Sequence, residues 1–167
     1  NENDLNYFII ALQNIYLNHH GMESLFAGSI KDDSLQYAIH KFKITFFSLP
    51  HLQRTEKHVS DPLKNSAAKR INMFLRWMVR NDDVDPGGWD SIDASKLIVP
   101  LDTHMHKVGK ILGFTTRKSA DLKTALEITE GFRQVEKDDP VRYDFCLTRF
   151  GIRRDMHMEE LRLMMSG

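Results

Sequence analysis

The chain has 167 residues, 41% of them apolar, with 23 basic against 23 acidic side chains and a formal net charge of zero. That length suits one domain with a core of its own, and the balanced charge excludes binding to polyanions through bulk charge, so a nucleic-acid partner has to be met by a local patch. A lone cysteine, Cys146, excludes an internal disulfide and any four-cysteine metal or iron–sulfur site, and no apolar run approaches the ~20 residues of a membrane span.

A reducing cytoplasm is the expected location, with no membrane partner and no cofactor. The chain opens on Asn1 with nothing resembling a signal segment. The expectation is one helical domain over 1–167 that lacks its native N-terminal segment.

Helical spacing dominates from the start. Leu5, Phe8, Ile9, Leu12, Ile15 and Tyr16 form an apolar stripe over 4–18, and Gly21 is placed to end that helix. A short helix fits 22–27. Ser34 to Leu49 is the next, with Leu35, Ala38, Ile39, Phe42 and Phe46 inward, and Pro50 stops it. Residues 51–65 are polar and end in Ser60-Asp61-Pro62, which predicts a loop.

Ser66 is the expected cap of a helix running to Arg80, with Ile71, Phe74, Leu75 and Met78 as its core face. Lys69, Asn72, Arg76 and Arg80 then fall on the opposite side, a basic stripe expected to face solvent. Asn81 to Ser95, acidic and broken by Pro86-Gly87-Gly88, is expected to be loop.

Val99-Pro100-Leu101-Asp102-Thr103-His104 leads into Met105, Val108, Ile111 and Leu112, closed by Gly113. Asp102 sits where that helix begins, so its carboxylate can take the free N–H groups of the first turn and is held rigid and ionised there. A helix opened by Ser119 or Asp121 carries Leu122, Ala125, Leu126, Ile128 and Phe132. Asp139-Pro140 is expected to start another, with Val141, Phe145 and Leu147 feeding the core, Cys146 packed on its apolar side and Gly151 ending it. A Met-rich helix over about 155–165 completes an all-α chain without strand alternation or repeats.

Two residues carry candidate chemistry. Lys69 opens its helix beside Arg70 and is a candidate nucleophilic amine. Asp102, 33 positions later, is a fixed carboxylate. Pro100-Leu101-Asp102-Thr103-His104 before an apolar helix resembles the Pro-Val-Asp-Thr-His motif of the endonuclease III type of DNA glycosylase, in the helix-hairpin-helix superfamily. The Leu-Pro-Gly-Val-Gly-type hairpin that supplies that family's lysine is missing. Gly87 and Gly88 lie in the acidic loop, and Asp83 and Val84 stand where the family has its lysine. Lys69-Arg70-Ile71-Asn72-Met73-Phe74, with its long separation from Asp102, is more similar to the lysine helix of the archaeal 8-oxoguanine glycosylases. The stretch from Lys69 to Arg80, and Asp139-Pro140-Val141-Arg142-Tyr143-Asp144-Phe145, also resemble a bacterial family of unassigned function.

The resemblance implies a helix-hairpin-helix glycosylase-like domain with a divergent or missing hairpin. It implies a base-excision enzyme, with or without lyase activity, that acts on damaged double-stranded DNA. A flipped-out base would leave as Asp102 stabilises the cationic sugar and Lys69 attacks the anomeric carbon. His104, Trp77 and Trp89 would line the base pocket, and Arg76, Arg80, Lys107, Lys110, Arg117 and Lys118 would hold the phosphate backbone.

Two other readings compete. Asp102-Thr103-His104-Met105-His106 resembles the Asp-x-His-x-His entry of metal-dependent hydrolases. On a helix the two imidazoles diverge by about 200°, so this reading needs a strand. In the third reading the domain is a non-catalytic DNA- or protein-binding module, Asp102 only a cap and Lys69 only surface charge.

Overall fold

The computed structural model describes residues 2–32, 34–149 and Leu163. The Gly151 stop and most of the Met-rich 155–165 segment lie outside the described residues. Seven α-helices frame the described chain: α1 (Glu2–Asn18), α2 (Met22–Ala27), α3 (Leu35–Phe46), α4 (Lys69–Val79), α5 (Thr103–Ile111), α6 (Leu122–Val135) and α7 (Asp144–Arg149). Among the described residues there is no strand, only two isolated bridges, Lys31 to Ser34 and Asn81 to Pro86. The fold is all-α. No helix among them is long and apolar enough to cross a membrane.

Side-chain caps form at three helices, the expected one at Asp102 among them, and of Ser119 and Asp121 it is Asp121 that caps. Ser34 accepts from the Gln36 N–H at α3, Asp102 from the N–H groups of His104 and Met105 at α5, and Asp121 from Thr124 at α6. Such caps contribute about 1 kcal/mol each. The core faces of α3 and α6 are those the spacing predicts, with Leu35, Ala38, Ile39, Phe42, Phe46, Ala125, Ile128 and Phe132 buried. Helix α5 lies close on α6: a Cβ added at Gly109 would meet the Ile128 side chain at 2.5 Å. That tight approach fixes where α5 begins, and with it Asp102.

Several expectations are corrected. Helix α1 buries Tyr7, Ala11 and Ile15, while Leu5, Ile9 and Tyr16 are exposed. The stripe is rotated because the Tyr7 hydroxyl donates to the Phe46 carbonyl at 2.7 Å and its ring stacks on Phe47. The 51–65 loop contains two 3-10 turns, Gln53–His58 and Pro62–Lys64. Ser66 does not cap α4; it accepts from Ala68, and Ala68 itself stands before the helix at φ 45°. Asp139-Pro140 opens a turn, and the helix starts only at Asp144. Cys146 is exposed.

The largest correction concerns α4. Asn72, Arg76 and Arg80 are buried, whereas Ile71, Phe74 and Met78 are only partly so. Asn72 donates to the Ala67 carbonyl at 2.9 Å and braces the turn before the helix. Acidic side chains surround the two arginines. Arg76 bonds Asp85 at 3.2 Å and also Asp144; Arg80 bonds Asp139 at 2.8 Å, Asp82 at 2.7 Å and also Asp85. Charge on an amphipathic pattern predicts solvent, but here the acids of the 82–85 loop and of 139–144 close over it. Buried guanidinium groups need such partners. The same loop turns back onto α4, where the Gly87 and Trp89 N–H groups donate to the Trp77 and Met78 carbonyls at 2.9 Å each.

Candidate active site

The start of α4, the start of α5 and helix α7 enclose a cleft of about 310 Å³, at the small end of the range for ligand sites. Lys69, Arg76, Asp102, Asp144 and Thr148 supply its polar wall. Met73, Trp77 and Phe145 supply flat or adaptable apolar surface.

Lys69 and Asp102 meet here. The Lys69 Nζ lies 3.2 Å from Asp102 Oδ2, with the amine half-exposed and the carboxylate mostly covered. Each side chain owes its place to a helix start. Asp102 Oδ1 receives the N–H groups of His104 and Met105 at 2.9 Å each, which leaves Oδ2 for the lysine. Burial by itself would raise this carboxyl. The Met105 N–H, the Lys69 ammonium and the His104 N–H outweigh burial and hold it below the usual range. Lys69 follows directly on Ala68, whose left-handed backbone is uncommon for a residue with a Cβ; its N–H donates to Ser66, and Asn72 donates to the preceding Ala67 carbonyl.

Asp144 is a site residue that sequence reasoning misses. It is 6% exposed and lines the same cleft. Arg76 binds its Oδ2, while Oδ1 is buried without a hydrogen-bond partner among the described residues. Burial pushes its carboxyl up to about 6; Arg76 opposes the shift, and the charges of Asp102 and Asp85 add to it. Asp102 and Asp144 thus hold their protons very differently within one cleft, a split that separates an ionised carboxylate from a proton-bearing one. The signal available in the sequence is an acid set between Tyr143 and Phe145 in an apolar run.

The other expected site residues scatter. Trp77 is 40% exposed on the cleft wall. Trp89 is core, edge-on to Phe74 at 5.4 Å and tilted on Phe26 at 5.7 Å, so it is corrected from the base pocket to packing. His104 is half-buried beside the cap, with its Nδ1 unpartnered among the described residues, and is not among the residues that line the cleft. Arg76 and Arg80 are held in buried ion pairs and do not form the solvent-facing stripe expected for phosphate contact. Lys107, Lys110 and Lys118 are exposed, whereas Arg117 is tied to Asp121 and Thr124 at 2.9 Å each.

The Asp102, His104 and His106 trio does not converge. His106 engages the Arg117 carbonyl at 3.0 Å, as the helical geometry requires. Among the described residues no three His, Cys, Asp or Glu side chains are grouped to hold a metal ion.

The family model described as "Protein of unknown function (DUF2400)" matches residues 1–153. The chain belongs to that family. No helix-hairpin-helix glycosylase family matches this DUF2400 member, so its resemblance to that superfamily is corrected. The likeness rests on a few residues around a capping aspartate, and any Asp that opens an apolar helix after a proline can produce such a string. No curated protein matches the DUF2400 chain. No solved structure matches it.

Proposed function

We propose that the cleft cleaves an N-glycosidic bond in DNA, acting on a base swung out of the duplex. The carrying observation is the primary amine and the fixed carboxylate, 3.2 Å apart in the wall of one cleft. This reading rests on side-chain chemistry and not on the corrected resemblance.

Breaking the bond to the base leaves positive charge on the sugar. Asp102, ionised and immobilised by its own helix, is suited to stabilise that charge. The Lys69 amine, once deprotonated, can close on the anomeric carbon and form a Schiff base, from which strand cleavage can follow. Trp77 and Phe145 offer faces on which a planar base can stack. Lys57, Lys69 and Arg70 line an adjoining groove of about 460 Å³, which supplies the local basic patch that the neutral net charge demands.

The test uses the purified chain and duplex DNA bearing one abasic site, reduced with borohydride. A covalent adduct is expected for the wild type and not for Lys69→Ala. Asp102→Asn keeps an acceptor for the helix N–H groups but loses the charge; it should fold normally and release no base from duplexes carrying single oxidised, alkylated or deaminated bases. No wild-type adduct, or one that survives Lys69→Ala, refutes the assignment. Full activity in Asp102→Asn would reduce that residue to a cap.

A further inference from the structure

We propose that Asp144 is the proton donor to the departing base. This rests on the reading of the cleft given above and deepens it. Asp144 is 6% exposed, yet it lines the cleft that holds Lys69 and Asp102. Arg76 binds one carboxyl oxygen and thereby fixes the group's orientation. The other oxygen, Oδ1, is buried with no hydrogen-bond partner among the described residues. A buried carboxyl oxygen without a partner is unfavourable and calls for an explanation. A protonated carboxyl whose O–H is satisfied by an acceptor entering the cleft supplies one.

Burial favours that protonated form against the opposing pull of Arg76, and two nearby carboxylates add to it. Arg76 faces it from α4, Asp85 from the loop after α4 and Asp102 from the start of α5; Lys69 shares the cleft wall. Arg76 is shared between Asp144 and Asp85, the latter also bound by Arg80. Burial and the two neighbouring carboxylates together keep the Asp144 proton on up to about pH 6.

In the bond-breaking step the anomeric carbon and the base nitrogen separate, and the electron pair goes to the nitrogen. The Asp144 proton follows that pair, so the base leaves neutral and Asp144 becomes a carboxylate. The cationic sugar is held by Asp102. Lys69 then passes a proton to the Asp144 carboxylate, restoring it, and the amine lone pair closes on the anomeric carbon.

Asp144→Asn separates this role from a structural one. Base release from the damaged-base duplexes should fall by about 10²–10⁴-fold. Borohydride trapping on abasic DNA, where no base has to leave, should fall by less than about tenfold, because solvent can take the lysine proton. In the wild type, base release should decline as pH rises through about 6, with no matching decline in abasic trapping. That pH comparison decides the matter if Asp144→Asn does not fold. Equal loss of both activities, loss of neither, or a flat pH profile for base release overturns the assignment. Abasic trapping by a wild type that releases no base from any duplex overturns it too. Absence of wild-type trapping instead sinks the underlying reading of the cleft.

Discussion

Asp144 gives the fold a stability that declines toward neutral pH. Its carboxyl titrates at about 6 in the folded chain, against about 3.9 for an unfolded Asp. Between those values the folded state binds more protons than the unfolded one, so unfolding becomes easier as pH rises. The group's stabilising contribution is complete below about pH 4 and is lost as pH climbs through 6. The gap of about two units corresponds to about 3 kcal/mol in full, of which about 1 kcal/mol falls between pH 5 and pH 7.5. Asp144→Asn keeps the shape and removes the titration. Its stability difference from the wild type should therefore shift by about 1 kcal/mol in the variant's favour between those two pH values. Asp4, Glu23, Asp82, Asp93, Asp102 and Asp121 all have lowered carboxyls; they titrate below this window and cancel in the subtraction. Urea unfolding followed by circular dichroism at both pH values measures the difference. An unchanged difference, or one of opposite sign, would refute the account of Asp144 as a buried carboxyl that holds its proton.

Two further outcomes test the packing. Trp89→Ala should lose about 3–5 kcal/mol in chemical denaturation, because its ring fills space between Phe26 and Phe74; Trp77→Ala, half in solvent, should stay within about 1 kcal/mol of the wild type. Arg76→Met should lose about 3–5 kcal/mol by the same measurement, since it leaves Asp144 buried without its cation and Asp85 with Arg80 alone. A loss below about 1 kcal/mol would mean that those carboxyls have found other partners or water.

The legible parts of the sequence are those governed by local rules. Ser34, Asp102 and Asp121 cap their helices because capping depends on a few adjacent backbone groups. The faces of α3 and α6 follow from spacing alone. Helix α4 escapes that reading because spacing reports a polar face and not what covers it. Its arginines turn inward because acids as distant along the chain as Asp139 and Asp144 close over them. Asp144 is illegible for the same reason: its environment is made by residues far away in sequence. Lys69 and Asp102 are each visible at their helix starts. Their meeting depends on where the starts of α4 and α5 come to lie, which involves the backbone turn at Ala68 and the close approach of Gly109 to Ile128 of α6, neither legible from local spacing.

Asp102 divides its two oxygens between different tasks. One is tied to the helix it begins, and the other to an ammonium on a separate helix. Only the second oxygen is free to change allegiance. Any cation that arrives in the cleft must compete with Lys69 for it, so docking of a positive centre and release of the lysine are two sides of a single exchange.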